Sequence, residues 1–165
     1  MNTTAFTIYD ASAGSGKTYT LTKEYLKILF LATNDDAYRK ILAITFTNKA
    51  VEEMKTRIVS SLYQFSLDNT SDKAMELLKD VASETKLSIA TLKDKSKAII
   101  KNIIHNYAAF DISTIDKFTH KVIRTFAQDL NLPPNFEVSL ETDSLLQEAI
   151  DLVISKAGDD PNLTK

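Results

Sequence analysis

The chain has 165 residues, 44% of them hydrophobic and 25% charged, which is the composition of a folded globular domain and excludes a disordered or fibrous one. Its formal net charge is −2, so no overall basic field marks it for nucleic acid, yet the charge is divided: residues 1–125 hold 18 Lys and Arg against 14 Asp and Glu, and residues 126–165 hold 2 against 8. Cysteine is absent, which excludes disulfides and thiolate metal sites; the longest apolar run, Ile28 to Ala32, is far shorter than the roughly 20 residues that cross a membrane, and the basic-then-apolar order of a signal peptide is missing, so a cytoplasmic location away from membranes is expected.

In chain order, "TAFTIYD" sets Phe6, Ile8 and Tyr9 in a β-prone run and predicts a strand over Ala5 to Tyr9. After the glycine-containing "ASAGSGKT", Lys17 to about Ala32 predicts a helix with Tyr25, Leu26, Leu29 and Phe30 on one face. "ILAITF", Ile41 to Phe46, is a near-continuous apolar run suited to a strand buried on both faces of a parallel sheet, and a helix from about Asn48 to Phe65 follows it. From Ser71 to Tyr107 the spacing predicts two helices, opened by Ser71 and Ser88 as N-caps. "FDISTI", Phe110 to Ile115, returns to strand character ahead of a helix from about Asp116 to Leu130, which Pro133 and Pro134 stop from continuing. Last come "FEVS", Phe136 to Ser139, as a short strand, and a helix from Thr142 to Lys156 with Gly158 at its C-cap position.

Two of only three glycines fall in Ala11-Ser12-Ala13-Gly14-Ser15-Gly16-Lys17-Thr18. This matches the phosphate-loop pattern G-x-x-x-x-G-K-[ST] except that Ala11 stands at the first glycine. In such a loop the amides curl round a phosphate, which requires left-handed backbone and no side chains in the way. Lys17 would place its ammonium between the β- and γ-phosphates, Thr18 would turn its hydroxyl to Mg²⁺, and the following helix would aim its positive end at the anion. The bland alternative is a glycine turn before a solvated lysine. Even the sharper reading names a nucleoside triphosphate and no reaction, because many enzyme classes share the loop.

The residues after the second and third predicted strands are more particular. In a parallel α/β sheet the loops at the carboxyl ends of the strands form one ligand-binding edge. Thr45, Phe46, Thr47 and Asn48 would share that edge with Ser113, Thr114 and Lys117. Phe46 suits stacking on a base, or else a core position; Thr47, Asn48, Ser113 and Thr114 offer small donors to phosphate oxygens. Thr114 also suits a cap on the next helix. Lys117, Lys121 and Arg124 fall on one helical face, which fits phosphates and fits a solvated surface equally well.

"ASAGSGKT", "AITFTNKAVEEMKTRI" (Ala43 to Ile58) and "ISTIDKFTHKVIRTFA" (Ile112 to Ala127) resemble, in order, motifs I, Ia and Ib of superfamily 1 DNA helicases of the UvrD/Rep type. The 68 residues from Phe46 to Thr114, largely helical, and the alanine-initiated loop resemble the RecB- and AddA-like helicase subunits of helicase-nucleases. The resemblance implies an α/β fold: a RecA-like P-loop NTPase lobe, three-layer with a partial parallel sheet, carrying a helical insertion. Residues 1–60 plus 108–130 would form the ATP-binding lobe, 61–107 the insertion, and 131–165 the start of an accessory helical subdomain. It further implies ATP and Mg²⁺ as cofactors, 3′ to 5′ movement on single-stranded DNA in repair and recombination, an exonuclease elsewhere in the protein, and a partner subunit. By the same resemblance the seven edge residues from Thr45 to Lys117 line the DNA path, and Tyr19 stands where the family's adenine-holding arginine would be, as a cofactor-binding residue whose ring could stack on the base. Asp116 replaces a common histidine, and no glutamine precedes the loop.

Hydrolysis also needs a carboxylate pair behind a strand and an arginine for the developing charge. No Asp-Glu dipeptide occurs in the chain, and Glu52-Glu53, Asp35-Asp36 and Asp159-Asp160 lie in a helix or in polar loops. The sequence therefore reads as the N-terminal part of a longer motor, inactive as an ATPase by itself. A small phosphate-loop kinase and a non-catalytic phosphate-loop scaffold are the rival readings; the kinase leaves the second and third motifs as coincidences.

Overall fold

The computed structural model of the protein describes residues 6–9, 16–133, 135–137 and 142–156. Helix α1 (Lys17–Leu31) starts at Gly16, whose φ of 81° lies in the left-handed region, and buries Thr22, Tyr25, Leu26, Leu29 and Phe30 at the three- and four-residue spacing of one helical face. Its last turn is closed from a distance: the Lys95 ammonium donates to the carbonyls of Phe30 and Ala32 at 2.7 and 2.8 Å, placing a cation at the negative end of the helix. A single 3₁₀ turn, Ala37–Lys40, then buries Tyr38 completely, its hydroxyl donating to the Asn102 carbonyl at 3.0 Å.

Strand β1 (Ala43–Thr45) pairs in parallel with β2 (Ile112–Thr114) in the register Ala43 to Ile112, Ile44 to Ser113 and Thr45 to Thr114. Between them run α2 (Asn48–Ser66), α3 (Asp72–Thr85) and α4 (Ile89–His105). Two of these helices are capped as their sequences dictate: Thr47 Oγ1 accepts from the Ala50 amide and Ser88 Oγ from the Thr91 amide, each at 3.1 Å. Ser71 is the N-cap residue of α3, without a side-chain cap bond. Ile58, Leu62 and Phe65 of α2, Leu78 and Val81 of α3, and Leu92, Ile99 and Ile103 of α4 join the α1 face in one core, with the Phe30 and Phe65 rings 6.4 Å apart and Tyr25 edge-on to Phe110 at 5.9 Å. The segment 61–107 is therefore packed into the same core as α1 and contributes much of it.

Chain packing divides the protein into two units, Met1–Phe118 and Thr119–Lys165. Helix α5 (Ile115–Thr125) begins directly at the end of β2, and Thr114 Oγ1 accepts from the Lys117 amide at 3.3 Å, the capping role its position suggested. In the second unit the His120 ring lies 5.8 Å from Phe136, and α6 (Thr142–Lys156) has no buried side chain among the described residues.

Several expectations change. Phe6 to Tyr9 forms no strand, and Phe6 and Ile8 are 80% and 76% exposed: a strand exists only against a neighbour that takes its hydrogen bonds, and the described sheet has only two strands, paired with each other. The run Ile41 to Phe46 is not buried on both faces. Leu42 and Ile44 are each 43% exposed while Ala43 and Thr45 are partly buried, the alternation of a strand covered on one side only. The helix expected to reach Leu130 ends at Thr125 and passes into turns, and Phe136 and Glu137 are not in a strand. The remainder of "FEVS" and the Gly158 cap lie outside the described residues.

Candidate nucleotide and nucleic-acid site

Of the phosphate-loop residues, Ala11, Ser12, Ala13, Gly14 and Ser15 lie outside the described residues; the junction with α1 does not. Gly16 is the N-cap of α1 in left-handed conformation, and a Cβ built there would meet nothing within 4 Å, so glycine is required by backbone angle and not by space. Among the described residues the helical ladder opens with the bond from the Thr20 amide to the Gly16 carbonyl at 3.0 Å, which places Lys17 and Thr18 on the opening turn of the helix. Lys17 is exposed and Thr18 partly so. A left-handed glycine and a Lys-Thr pair on the first turn of a helix suit a triphosphate with its Mg²⁺.

Lys17 lines a small pocket of about 110 Å³ with Tyr9, Thr20 and Leu21. Tyr19 does not. It lines a separate cleft of about 270 Å³ between α1, α2 and α3, with Thr22, Arg57, Ser61 and Leu77 among its walls, and its hydroxyl donates to Asp80 Oδ2 at 2.7 Å. Burial, then that hydrogen bond, then the negative charges of Asp80, Glu76 and Glu84 push the Tyr19 hydroxyl up to about 12, so it stays a donor at any physiological pH. The ring is thus engaged by α3, in a cleft separate from the Lys17 pocket.

The second and third motifs meet at one edge. Because Thr45 pairs with Thr114, both strands end level, and the turns Phe46 to Asn48 and Ile115 to Lys117 leave side by side. Phe46 is 84% exposed, which removes the core reading of this residue. Thr47 and Asn48 are exposed beside it, Thr45 is partly buried, and Lys117 is exposed on the first turn of α5. Thr114 is 5% exposed and turned toward its capping role, while the Ser113 hydroxyl is buried with no hydrogen-bond partner among the described residues. Lys121 and Arg124 are exposed as well, so the basic face of α5 is accessible along its length.

Two acidic residues escaped the sequence reading. Asp80 holds Tyr19, and Glu84, one turn further along α3, pairs with both Lys23 and Lys27 of α1. Their signal is periodic and visible only once the helices are paired: Tyr19, Lys23 and Lys27 repeat every four residues, as do Glu76, Asp80 and Glu84.

The sequence profile of the UvrD/REP helicase N-terminal domain matches residues 3–165. The chain belongs to this family. Among curated relatives of this UvrD/REP chain, an ATP-dependent helicase/nuclease subunit of the AddA kind from Lactobacillus acidophilus is 32% identical over 131 residues, 79% of this chain and 9% of the relative. The protein of the same name from Streptococcus suis is 31% identical over 147 residues, covering 87% and 10%, and that from Staphylococcus carnosus is 29% identical over 152 residues, covering 91% and 10%. The chain thus spans about a tenth of the length of these relatives. No solved structure matches it. The UvrD/REP N-terminal domain implies a RecA-like fold, of which the described residues contribute a small parallel sheet and a large helical share. No described helix is long and apolar enough to cross a membrane.

Proposed function

We propose that this chain is the ATP-binding lobe of an ATP-dependent DNA helicase that moves 3′ to 5′ along single-stranded DNA in repair and recombination, in a cytoplasmic helicase-nuclease with a second subunit. Residues 1–60 and 108–130 form its three-layer RecA-like lobe, 61–107 a helical insertion, and 131–165 the opening of an accessory helical subdomain. Ala11 to Gly16 wrap the phosphates of ATP; Lys17 holds the β- and γ-phosphates, and Thr18 offers a hydroxyl to Mg²⁺. Bound ATP would supply the energy that opens and closes two lobes; the part played by this chain's own residues is to hold the triphosphate at one end of α1 and the strand at the carboxyl edge of the sheet. Thr45, Phe46, Thr47 and Asn48 line that strand's path with Ser113, Thr114 and Lys117.

The observation that carries this reading is Phe46: its ring, 84% exposed at the carboxyl end of β1 beside the exposed Thr47 and Asn48, is free to stack on an unpaired base. Two titrations of the 165-residue chain test it. A fluorescent ATP analogue with Mg²⁺ should bind and lose binding on Lys17→Ala, and a labelled single-stranded oligonucleotide should bind more tightly than the same sequence as duplex. Lys17-independent nucleotide binding, or equal affinity for duplex and single strand, would sink the reading; phosphoryl transfer to a small acceptor would favour the kinase.

A further inference from the structure

We propose that Asp80 is a positioning residue of the nucleotide site: it holds the Tyr19 hydroxyl, keeps that ring away from the base, and so lets the helical insertion set nucleotide affinity. The inference rests on nucleotide binding at Gly16 to Thr18. Tyr19 sits on the first turn of α1, two residues beyond Lys17, and in the proposed nucleotide site a ring free to swing there would offer a base a stacking surface. It does not swing freely. Its hydroxyl is 2.7 Å from Asp80 Oδ2, and it lines the cleft beside α2 and α3 while Lys17 lines a different pocket.

The contact belongs to a longer seam. Along α1, Tyr19, Lys23 and Lys27 follow one another at four-residue intervals; along α3, Asp80 and Glu84 do the same, with Asp80 bound to Tyr19 and Glu84 to both lysines. Glu24 adds a bond to Lys27 at 2.8 Å. The shared core of Leu77, Leu78 and Val81 with the apolar face of α1, bordered by these ion pairs, holds α3 against α1, and this fixes where Asp80 stands. The tyrosine end is a single hydrogen bond on a side chain 39% exposed, so it can break without disturbing the core beneath it. Two arrangements follow: ring on Asp80 with the base unattended, or ring released to the base. Anything that shifts α3, including a strand or subunit touching the insertion, would change the balance between them.

The test is a double-mutant cycle read in nucleotide affinity. Dissociation constants of a fluorescent ATP analogue with Mg²⁺ are measured for the wild type, Tyr19→Phe, Asp80→Ala and the double variant, with Asp80→Asn and Glu76→Gln as controls and Lys17→Ala to report the phosphate site. Tyr19→Phe and Asp80→Ala should each tighten binding about three- to tenfold, and the double variant should gain no more than either alone. Asp80→Asn, which keeps an acceptor, should stay within twofold of the wild type. Glu76→Gln removes an equal charge from the same face of α3 without touching the hydroxyl, and should also do little. Additive effects, weaker binding in the single variants, or an equal gain from Glu76→Gln would overturn the latch while Lys17-dependent binding left the nucleotide site standing. Loss of all nucleotide binding in the wild type would overturn both.

Discussion

Replacing Phe46 with alanine separates a DNA contact from a folding contact. Truncating a fully buried phenylalanine costs roughly 3 to 5 kcal/mol. Phe46 is 84% exposed, so the loss of stability should stay below about 1 kcal/mol. Stacking of a base on an aromatic ring contributes about 1 to 3 kcal/mol, which corresponds to a roughly 5- to 150-fold weakening of single-strand binding when the ring is removed. Fluorescence anisotropy with a labelled oligothymidylate at several salt concentrations reads this out. No charge changes, so the slope of log affinity against log salt should match the wild type, whereas Lys117→Ala should lower that slope by about one. Phe46→Trp keeps a stacking surface and should retain affinity. An alanine variant that binds within twofold of the wild type would refute the argument, as would a loss of binding that follows a loss of folded protein.

Three further outcomes concern the scaffold. Gly16→Ala should destabilise the protein by about 1 to 2 kcal/mol in urea unfolding, through the left-handed backbone alone, and Gly16→Asn by less, since asparagine tolerates that conformation and no neighbour lies within reach of a new Cβ. Phe65→Ala, at a fully buried position against Phe30, should cost about 3 to 5 kcal/mol by the same assay, enough to unfold a marginal domain. Hydrogen bonds from Lys23 and then Lys27 hold the Glu84 carboxyl below its ordinary value of 4.5, so the folded chain binds fewer protons there than the unfolded one. That contribution is fully present above the unfolded value and is lost as pH falls through the folded one; Glu84→Gln should flatten the acid limb of a stability profile, and an unchanged limb would show that the bridge contributes nothing.

Helices and caps were legible because their determinants are local. Ser88 precedes apolar periodicity and caps as expected, Ser71 stands at its N-cap position without a side-chain bond, and the faces of α1 and α2 follow spacing within a few turns. The sheet was less so. "ILAITF" reads as a doubly buried strand by composition, yet its even positions, Leu42, Ile44 and Phe46, are the exposed ones, and only knowledge of what covers each face separates the two readings. Phe6 to Tyr9 has strand composition but pairs with neither described strand, and pairing is never a property of one segment. At the candidate site, the level ends of β1 and β2 were implied by the motifs. The bond of Tyr19 to Asp80 was not, because 61 residues separate them. Tyr38 was also missed: a lone aromatic among "NDDAYRK" looks like loop, and its burial depends on an acceptor in α4.

The cap that Lys95 places on α1 gives the chain an order of assembly during synthesis. Helix α1 leaves the ribosome before α4, and the ammonium that satisfies its last carbonyls follows 65 residues behind Phe30. At about 5 to 20 residues per second, that is roughly 3 to 13 seconds of translation in which the apolar face of α1 is made and its far end unfinished. The cap on α1 is therefore completed only once α4 has emerged, and until then the core partners of the α1 apolar face on α4 are missing as well.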